Sequence, residues 1–169
     1  MLFRSIRGQL AGAIFGPDAD PIRLTAPDVG GGFGLKNFLY PEWVLLLWAA
    51  RKLGRPVHWS GSRMEEFSAS AHGRDMVADA TLALDEQGRI LALRADVIVD
   101  MGAYLSGSAP NISTRAFTTA MGGVYAIPAM SMTARGVFTN TGSVDAYRGA
   151  GKPEANFIIE DRKSTRLNS

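Results

Sequence analysis

The chain contains no cysteine. That excludes disulfides and thiolate metal centres within its 169 residues, and it fits a reducing compartment, so a cytoplasmic setting is the expectation. Histidine is nearly absent too, with two residues, His58 and His72. His58 alternates with Val57 and Trp59 in a strand-like stretch and reads as structural, and His72, in SAHGRD, has no second ligand at metal spacing. No apolar run reaches the roughly 18 residues that a membrane-spanning helix needs, and WVLLLWAA at residues 43–50 is far too short. The first residues carry Arg4 and Arg7 without a long apolar stretch or a small-residue cleavage site, so no secretion signal is expected. There is no internal repeat and no low-complexity linker.

A strong charge of either sign is also missing. The formal net charge is +2, from 18 basic and 16 acidic residues. Three of those basic residues (Arg162, Lys163, Arg166) and one acidic residue (Asp161) lie in the last nine positions, DRKSTRLNS. This peptide reads like the translation of a sequencing-library adapter, so residues 161–169 are set aside as an expected artefact. Without them the charges balance, and nothing in the charge argues for nucleic-acid or membrane binding.

What is present is a globular composition, 46% apolar and 20% charged. LFRSIRGQLAGAIFG spaces Leu2, Ile6, Leu10 and Phe15 as a helix would, with Gly16-Pro17 as its stop. PIRLTA reads as a short strand, and a glycine-rich loop follows it. A helix then starts near Tyr40, with Pro41 in its first turn, and ends near Gly54 after Arg51 and Lys52. RPVHWS reads as the next strand. Residues 75–104 alternate on both sides of DEQG, the pattern of a β-hairpin. Residues 106–128 read as loop with a short helix, MSMTARGVFTN as another strand, and residues 141–160 as a loop leading into a final helix from Pro153. The expected fold class is mixed α/β, with a mixed sheet, a long hairpin and flanking helices.

Two loops carry chemistry. In APDVGGGFGLKN, Gly30, Gly31, Gly32 and Gly34 surround a single aromatic, Phe33. Glycine permits positive φ and close approach of a ligand to the backbone, and consecutive amides before a helix make an anion site. Neither familiar phosphate loop fits. Lys36 follows Leu35 where a P-loop needs glycine, and counting from Gly30 the dinucleotide fingerprint meets Leu35 where its last glycine belongs. A tight turn without a ligand remains a reading of this loop. The second loop, AYRGAGKPE, again sets glycines, Gly149 and Gly151, before a helix and adds Arg148, whose planar guanidinium suits a carbonyl, carboxylate or oxyanion.

APDVGGGFGLK, GRPVHWSGSRMEEF, GRILALRADVIVDMGAY and AYRGAGKPE, in this order, resemble the large molybdenum subunit of the xanthine dehydrogenase, aldehyde oxidase and carbon monoxide dehydrogenase family. The resemblance spans about residues 21–160. It implies that residues 1–160 are part of a molybdopterin-binding domain, truncated at both ends, from an enzyme that hydroxylates aldehydes or N-heterocycles with water as the oxygen source. The cofactor implied is molybdopterin cytosine dinucleotide. [2Fe–2S] and FAD are expected on partner iron–sulfur and flavin subunits of a hetero-oligomer.

The resemblance also assigns residues. Gly31, Gly32, Phe33 and Gly34 fall in the loop beside the molybdenum, with the Phe33 backbone near a ligand of the metal and its ring expected to fix the loop by burial. Asn37 stands where purine-oxidising relatives hold substrate with a glutamate, which argues against purines. Arg148, Gly149, Ala150 and Gly151 match a cofactor-binding loop whose arginine faces substrate or the metal's ligands. That stretch has no cysteine to bridge to copper, which argues against carbon monoxide oxidation. The general-base glutamate is expected beyond Glu160, so no catalytic residue is assigned within the chain. Glu65 and Glu66 read as a solvated helix face, and neither they nor Glu154 and Glu160 take the base's role. Two alternatives from other classes are a non-catalytic module that binds an anion or nucleotide, and an inactive truncated product.

Overall fold

The structure is a computed structural model that describes residues 2–16 and 22–167, with side chains described for 6–16 and 22–161. The chain divides into two compact units, Met1–Ala69 and Ser70–Ser169.

The first unit is helical. Helix α1 (Leu2–Phe15) buries Ile6 and Leu10, as the helical spacing predicts. Helix α2 (Pro41–Leu53) has Pro41 at its first position, where a missing N–H costs nothing, and Gly54 closes it in the left-handed conformation at φ 63°. The Gly54 amide donates to the Ala50 carbonyl at 3.0 Å. Arg51 joins the two helices. Its guanidinium donates to the Ile14 carbonyl at 3.2 Å and lies 4.8 Å from the centre of the Phe15 ring. The short helix α3 (Arg63–Ala69) begins with a reciprocal cap: the Ser62 amide donates to the Glu65 carboxylate at 2.6 Å and the Glu65 amide to the Ser62 hydroxyl at 3.3 Å. The Ser62 amide, and the Ser62 hydroxyl after it, hold the Glu65 carboxyl below its ordinary value. Glu65 and Glu66 are exposed on this helix, as expected.

Two strand expectations fail in this unit. Residues 22–26 of PIRLTA are irregular, Pro21 lies outside the described residues, and RPVHWS is irregular as well. A strand needs a neighbouring edge for its backbone groups. The described residues of this unit form no strand, so residues with strand propensity stay irregular and mostly exposed.

The second unit is a three-stranded sheet under helices. Strands β1 (Met76–Leu84) and β2 (Ile90–Asp100) form the expected hairpin, in register from Met76 opposite Val99 to Ala83 opposite Ala92, with a shift before Leu84 meets Ile90. Asp85 builds the turn. Its carboxylate accepts the Gln87 amide at 3.0 Å, the Arg89 amide at 2.7 Å and the Arg89 side chain at 2.6 Å, and Gly88 supplies φ 74°. Strand β3 (Ala129–Val137) pairs parallel to β2. A helical segment crosses between them, a π-helical turn (Asn111–Ala116) running into α4 (Phe117–Ala120). Helix α5 (Lys152–Leu167) closes the unit. Leu93, Ala95, Val97 and Val99 turn one face of β2 into the core, where they join Phe117, Met121, Ala155 and Ile158. Mixed α/β is therefore the fold class.

Candidate functional site

The first glycine loop lies within the helical unit. Gly31 has φ 119° and Gly34 φ 98°, and Phe33 between them takes φ 45°, which a side chain of its size rarely adopts. Among the described residues, the Gly31, Gly32 and Gly34 amides donate no hydrogen bond, whereas the carbonyls of Gly32 and Gly34 accept from the Lys36 and Asn37 amides at 3.2 and 2.9 Å. The loop therefore leaves these three glycine N–H groups without a partner among the described residues. The expectation that Phe33 buries its ring is overturned, since the residue is 51% exposed. Its ring lies over Gly31 instead, and a Cβ on Gly31 would stand 2.5 Å from Phe33 Cε2. That glycine is needed for its own neighbour's ring.

The helix behind the loop starts where expected, but not directly after the glycines. A 3-10 turn (Leu35–Asn37) follows Gly34, Phe38 is buried after it, and α2 begins at Pro41. Tyr40 braces this insertion by donating its hydroxyl to the Leu35 carbonyl at 2.8 Å. The dipole of α2 is thus set back from the glycines rather than abutting them. Asn37 is exposed at the end of the 3-10 turn. An opening of about 550 Å³ beside the loop is lined by Gly31, Gly32, Phe33 and Gly34 with α1 and α2 side chains and by Arg23 and Lys36, and its surface is mostly apolar.

The second loop belongs to the sheet unit and is more firmly built. Gly149, Ala150 and Gly151 take φ 102°, 47° and 90°, three consecutive residues in a region that favours glycine, with Ala150 the exception. The Ala150 amide donates to the Tyr147 carbonyl at 2.8 Å and the Lys152 amide to Gly149 at 3.2 Å. Gly151 is buried against the π-helical turn, where a Cβ would meet Phe117 N at 2.7 Å and Ile112 O at 2.8 Å. Here α5 does start at once, at Lys152. Arg148 is exposed at the crest of the loop.

Sequence reasoning missed the supports of this loop. His72 forms a parallel bridge with Val144: its amide donates to the Ser143 carbonyl at 2.8 Å and its carbonyl accepts the Asp145 amide at 2.8 Å. Buried Asp145 accepts the Ser108 amide at 3.0 Å and its neighbour Ala146's amide at 2.6 Å. Arg74 donates to the Tyr147 and Arg148 carbonyls and pairs with Glu154 at 3.4 Å. Glu154 is thus engaged in an ion pair. The one signal available was SAHGRD itself, in which a glycine and an arginine follow a histidine just before a strand.

Asp100 anchors the end of β2 beneath these segments. Burial alone would push its carboxyl up. The Thr139 hydroxyl at 2.6 Å, the Gly102 amide at 2.7 Å, the Thr141 hydroxyl at 2.7 Å and the Met101 amide outweigh burial and hold it below the ordinary carboxylate value.

Residues 4–162 match the family described as Molybdopterin cofactor-binding domain. The chain is 38% identical over 139 residues to the gamma subunit of the 6-hydroxypseudooxynicotine dehydrogenase complex of Paenarthrobacter nicotinovorans, which covers 82% of this chain and 17% of that subunit. It is 39% identical over 142 residues to the carbon monoxide dehydrogenase large chain of Hydrogenophaga pseudoflava, covering 82% of this chain and 18% of that one. Among solved structures, quinoline 2-oxidoreductase from Pseudomonas putida 86 superposes with a TM-score of 0.75 at 38% identity, over 84% of this chain and 19% of that one. The chain therefore spans less than a fifth of the length of these relatives.

Proposed function

The chain belongs to the molybdopterin cofactor-binding family of molybdenum hydroxylase large subunits, and from that premise we propose that it forms part of the cofactor cradle of an enzyme that hydroxylates N-heterocycles or aldehydes. The observation that carries this reading is the backbone of Gly31, Gly32 and Gly34, whose amides donate to nothing among the described residues. Amides with no partner of their own and no Cβ in the way fit a group rich in oxygen acceptors such as a molybdopterin and its metal, and the mostly apolar opening beside them would exclude water. When bound, that group would supply the redox chemistry: a substrate C–H becomes C–OH with oxygen from water, two electrons passing to the metal and two protons leaving.

The chain's own residues would then bind and orient. The amides of Gly31, Gly32 and Gly34 would donate to the cofactor, with Phe33 holding the loop's shape beside the metal. Arg148 would use its fork of donors to orient a substrate or an oxygen near the metal, and Gly149, Ala150 and Gly151 would let the backbone approach the cofactor. Asn37 is neutral and would not hold substrate as a carboxylate. The general base would come from beyond Glu160. Molybdopterin cytosine dinucleotide is the cofactor form we favour, with iron–sulfur and flavin subunits as electron acceptors.

On substrate, the Arg148–Gly149–Ala150–Gly151 stretch has no cysteine to carry copper, which supports a substrate other than carbon monoxide. A solved relative is named for quinoline, an N-heterocycle. The test uses the full-length enzyme. Molybdenum and released cytidine monophosphate should be stoichiometric with the protein, and molybdenum without a cytosine nucleotide would overturn the dinucleotide assignment. Arg148→Lys should lower kcat about a hundredfold, because the flat, forked donor is lost. Unchanged kinetics would remove Arg148 from the site.

A further inference from the structure

Four separate contacts converge on Arg74. Its guanidinium donates to the Tyr147 carbonyl at 3.5 Å and, more closely, to the Arg148 carbonyl. It lies 4.7 Å from the centre of the Tyr147 ring, and its Nε stands 3.4 Å from Glu154 in the first turn of α5. Glu154 is 11% exposed at its side chain and Arg74 29%, so the pair is largely withdrawn from water. The backbone is fitted as closely. Arg74 takes φ 50°, and a Cβ on Gly73 would stand 2.6 Å from Tyr147 Cβ. One side chain therefore ties the segment ahead of β1 to two carbonyls, a ring and a helix start, all around three residues held at positive φ.

We propose that Arg74 is a positioning residue for the 147–151 loop. It holds the Tyr147 and Arg148 carbonyls in place so that the Arg148 side chain is presented outward in one orientation. Lysine cannot replace it, because a single ammonium cannot span two carbonyls and a carboxylate while lying over a ring. The functional part of this inference rests on the reading that Arg148 addresses substrate or cofactor.

The experiment uses the full-length, cofactor-loaded enzyme and the variants Arg74→Lys, Arg74→Ala, Glu154→Gln and Arg148→Ala. Amide hydrogen exchange is followed at Ala150 and Lys152, with the β1–β2 hairpin amides reporting whether the unit is folded. In Arg74→Ala and Arg74→Lys, exchange in the loop should rise about tenfold or more while the hairpin stays protected. Glu154→Gln should give a smaller rise. Kcat should fall in both Arg74 variants at unchanged molybdenum content, and added guanidinium ion should restore part of it in Arg74→Ala alone. Adding Arg148→Ala to Arg74→Ala should cost little more, since both act through one group.

Unchanged loop exchange in a folded Arg74→Lys protein would overturn the proposal. So would fully additive losses in the double variant. If Arg74→Ala opens the hairpin as well, Arg74→Lys, which keeps charge and bulk, decides. If Arg148→Ala leaves turnover intact while Arg74→Lys still loosens the loop, the clamp stands and the active-site reading of Arg148 falls. If Arg148→Ala abolishes turnover and Arg74→Lys changes nothing, the reading stands and this inference falls.

Discussion

The two glycine loops share a design in sequence and differ in how they are held. The loop at residues 31–34 leans on itself: its aromatic sits over its own glycine and stays half exposed, and a 3-10 turn separates it from α2. The loop at residues 147–151 leans on its unit. Gly151 is pressed against the π-helical turn, Arg74 grips two of its carbonyls, and α5 begins at the next residue. A run of glycines before a helix therefore does not fix how rigid a site is. Rigidity comes from partners that lie far away in sequence.

Several substitutions would break or sharpen this contrast. The largest effect is expected for aromatic truncation. Phe117 is fully buried behind the second loop, so Phe117→Ala should cost about 3–5 kcal/mol in chemical denaturation. Phe33→Ala should cost less than about 1 kcal/mol, because half of the ring already faces water. Equal costs would mean that the two loops are supported alike. Next come the glycines. Gly151→Ala must find room among backbone atoms at 2.7 and 2.8 Å and keep φ 90°, and should cost about 2–4 kcal/mol. Gly31→Ala should cost about 1–2 kcal/mol, since the ring it meets lies at the surface and can turn away.

Asp100 gives a smaller, pH-dependent effect. Its carboxyl is held below the unfolded value, so its contribution is fully present above that value and is lost as pH falls through the folded one. Asp100→Asn should lower stability at neutral pH by about 2 kcal/mol and flatten the acid limb of the stability profile. An unchanged acid limb, measured by denaturation from pH 7 downward, would rule out this role. The smallest effect is expected at Gly30, which has open space around it. Gly30→Ala should stay within about 0.5 kcal/mol.

How much of this was legible follows from the range of each interaction. The hairpin could be read because a period-two pattern and DEQG are local, and Asp85 closes the turn within four residues. Helix α2 could be read from Pro41 and Gly54 for the same reason. PIRLTA and RPVHWS misled because strand propensity is realised only beside a partner strand, and sequence does not announce its absence. The parallel seat of β3 beside β2 and the Arg74 clamp depend on contacts across long separations. The positive φ of Phe33 and Ala150 was equally hidden, since neither residue type advertises it. Glycine content pointed to both loops but not to the arginine that holds one of them.

The parallel pairing of β3 with β2 also sets an order of events. The hairpin closes a short loop, whereas β3 reaches its seat only after the crossover from Asp100 to Ala129 has been drawn in. The turn carrying Arg148 comes later still along the chain and rests on that finished layer. Folding kinetics should therefore be slowed by changes at the Asp85 turn, while changes at Gly151 or Arg74 should act mainly by hastening unfolding. The loop proposed to hold the cofactor and substrate is then the last part of this unit to form and the first to let go.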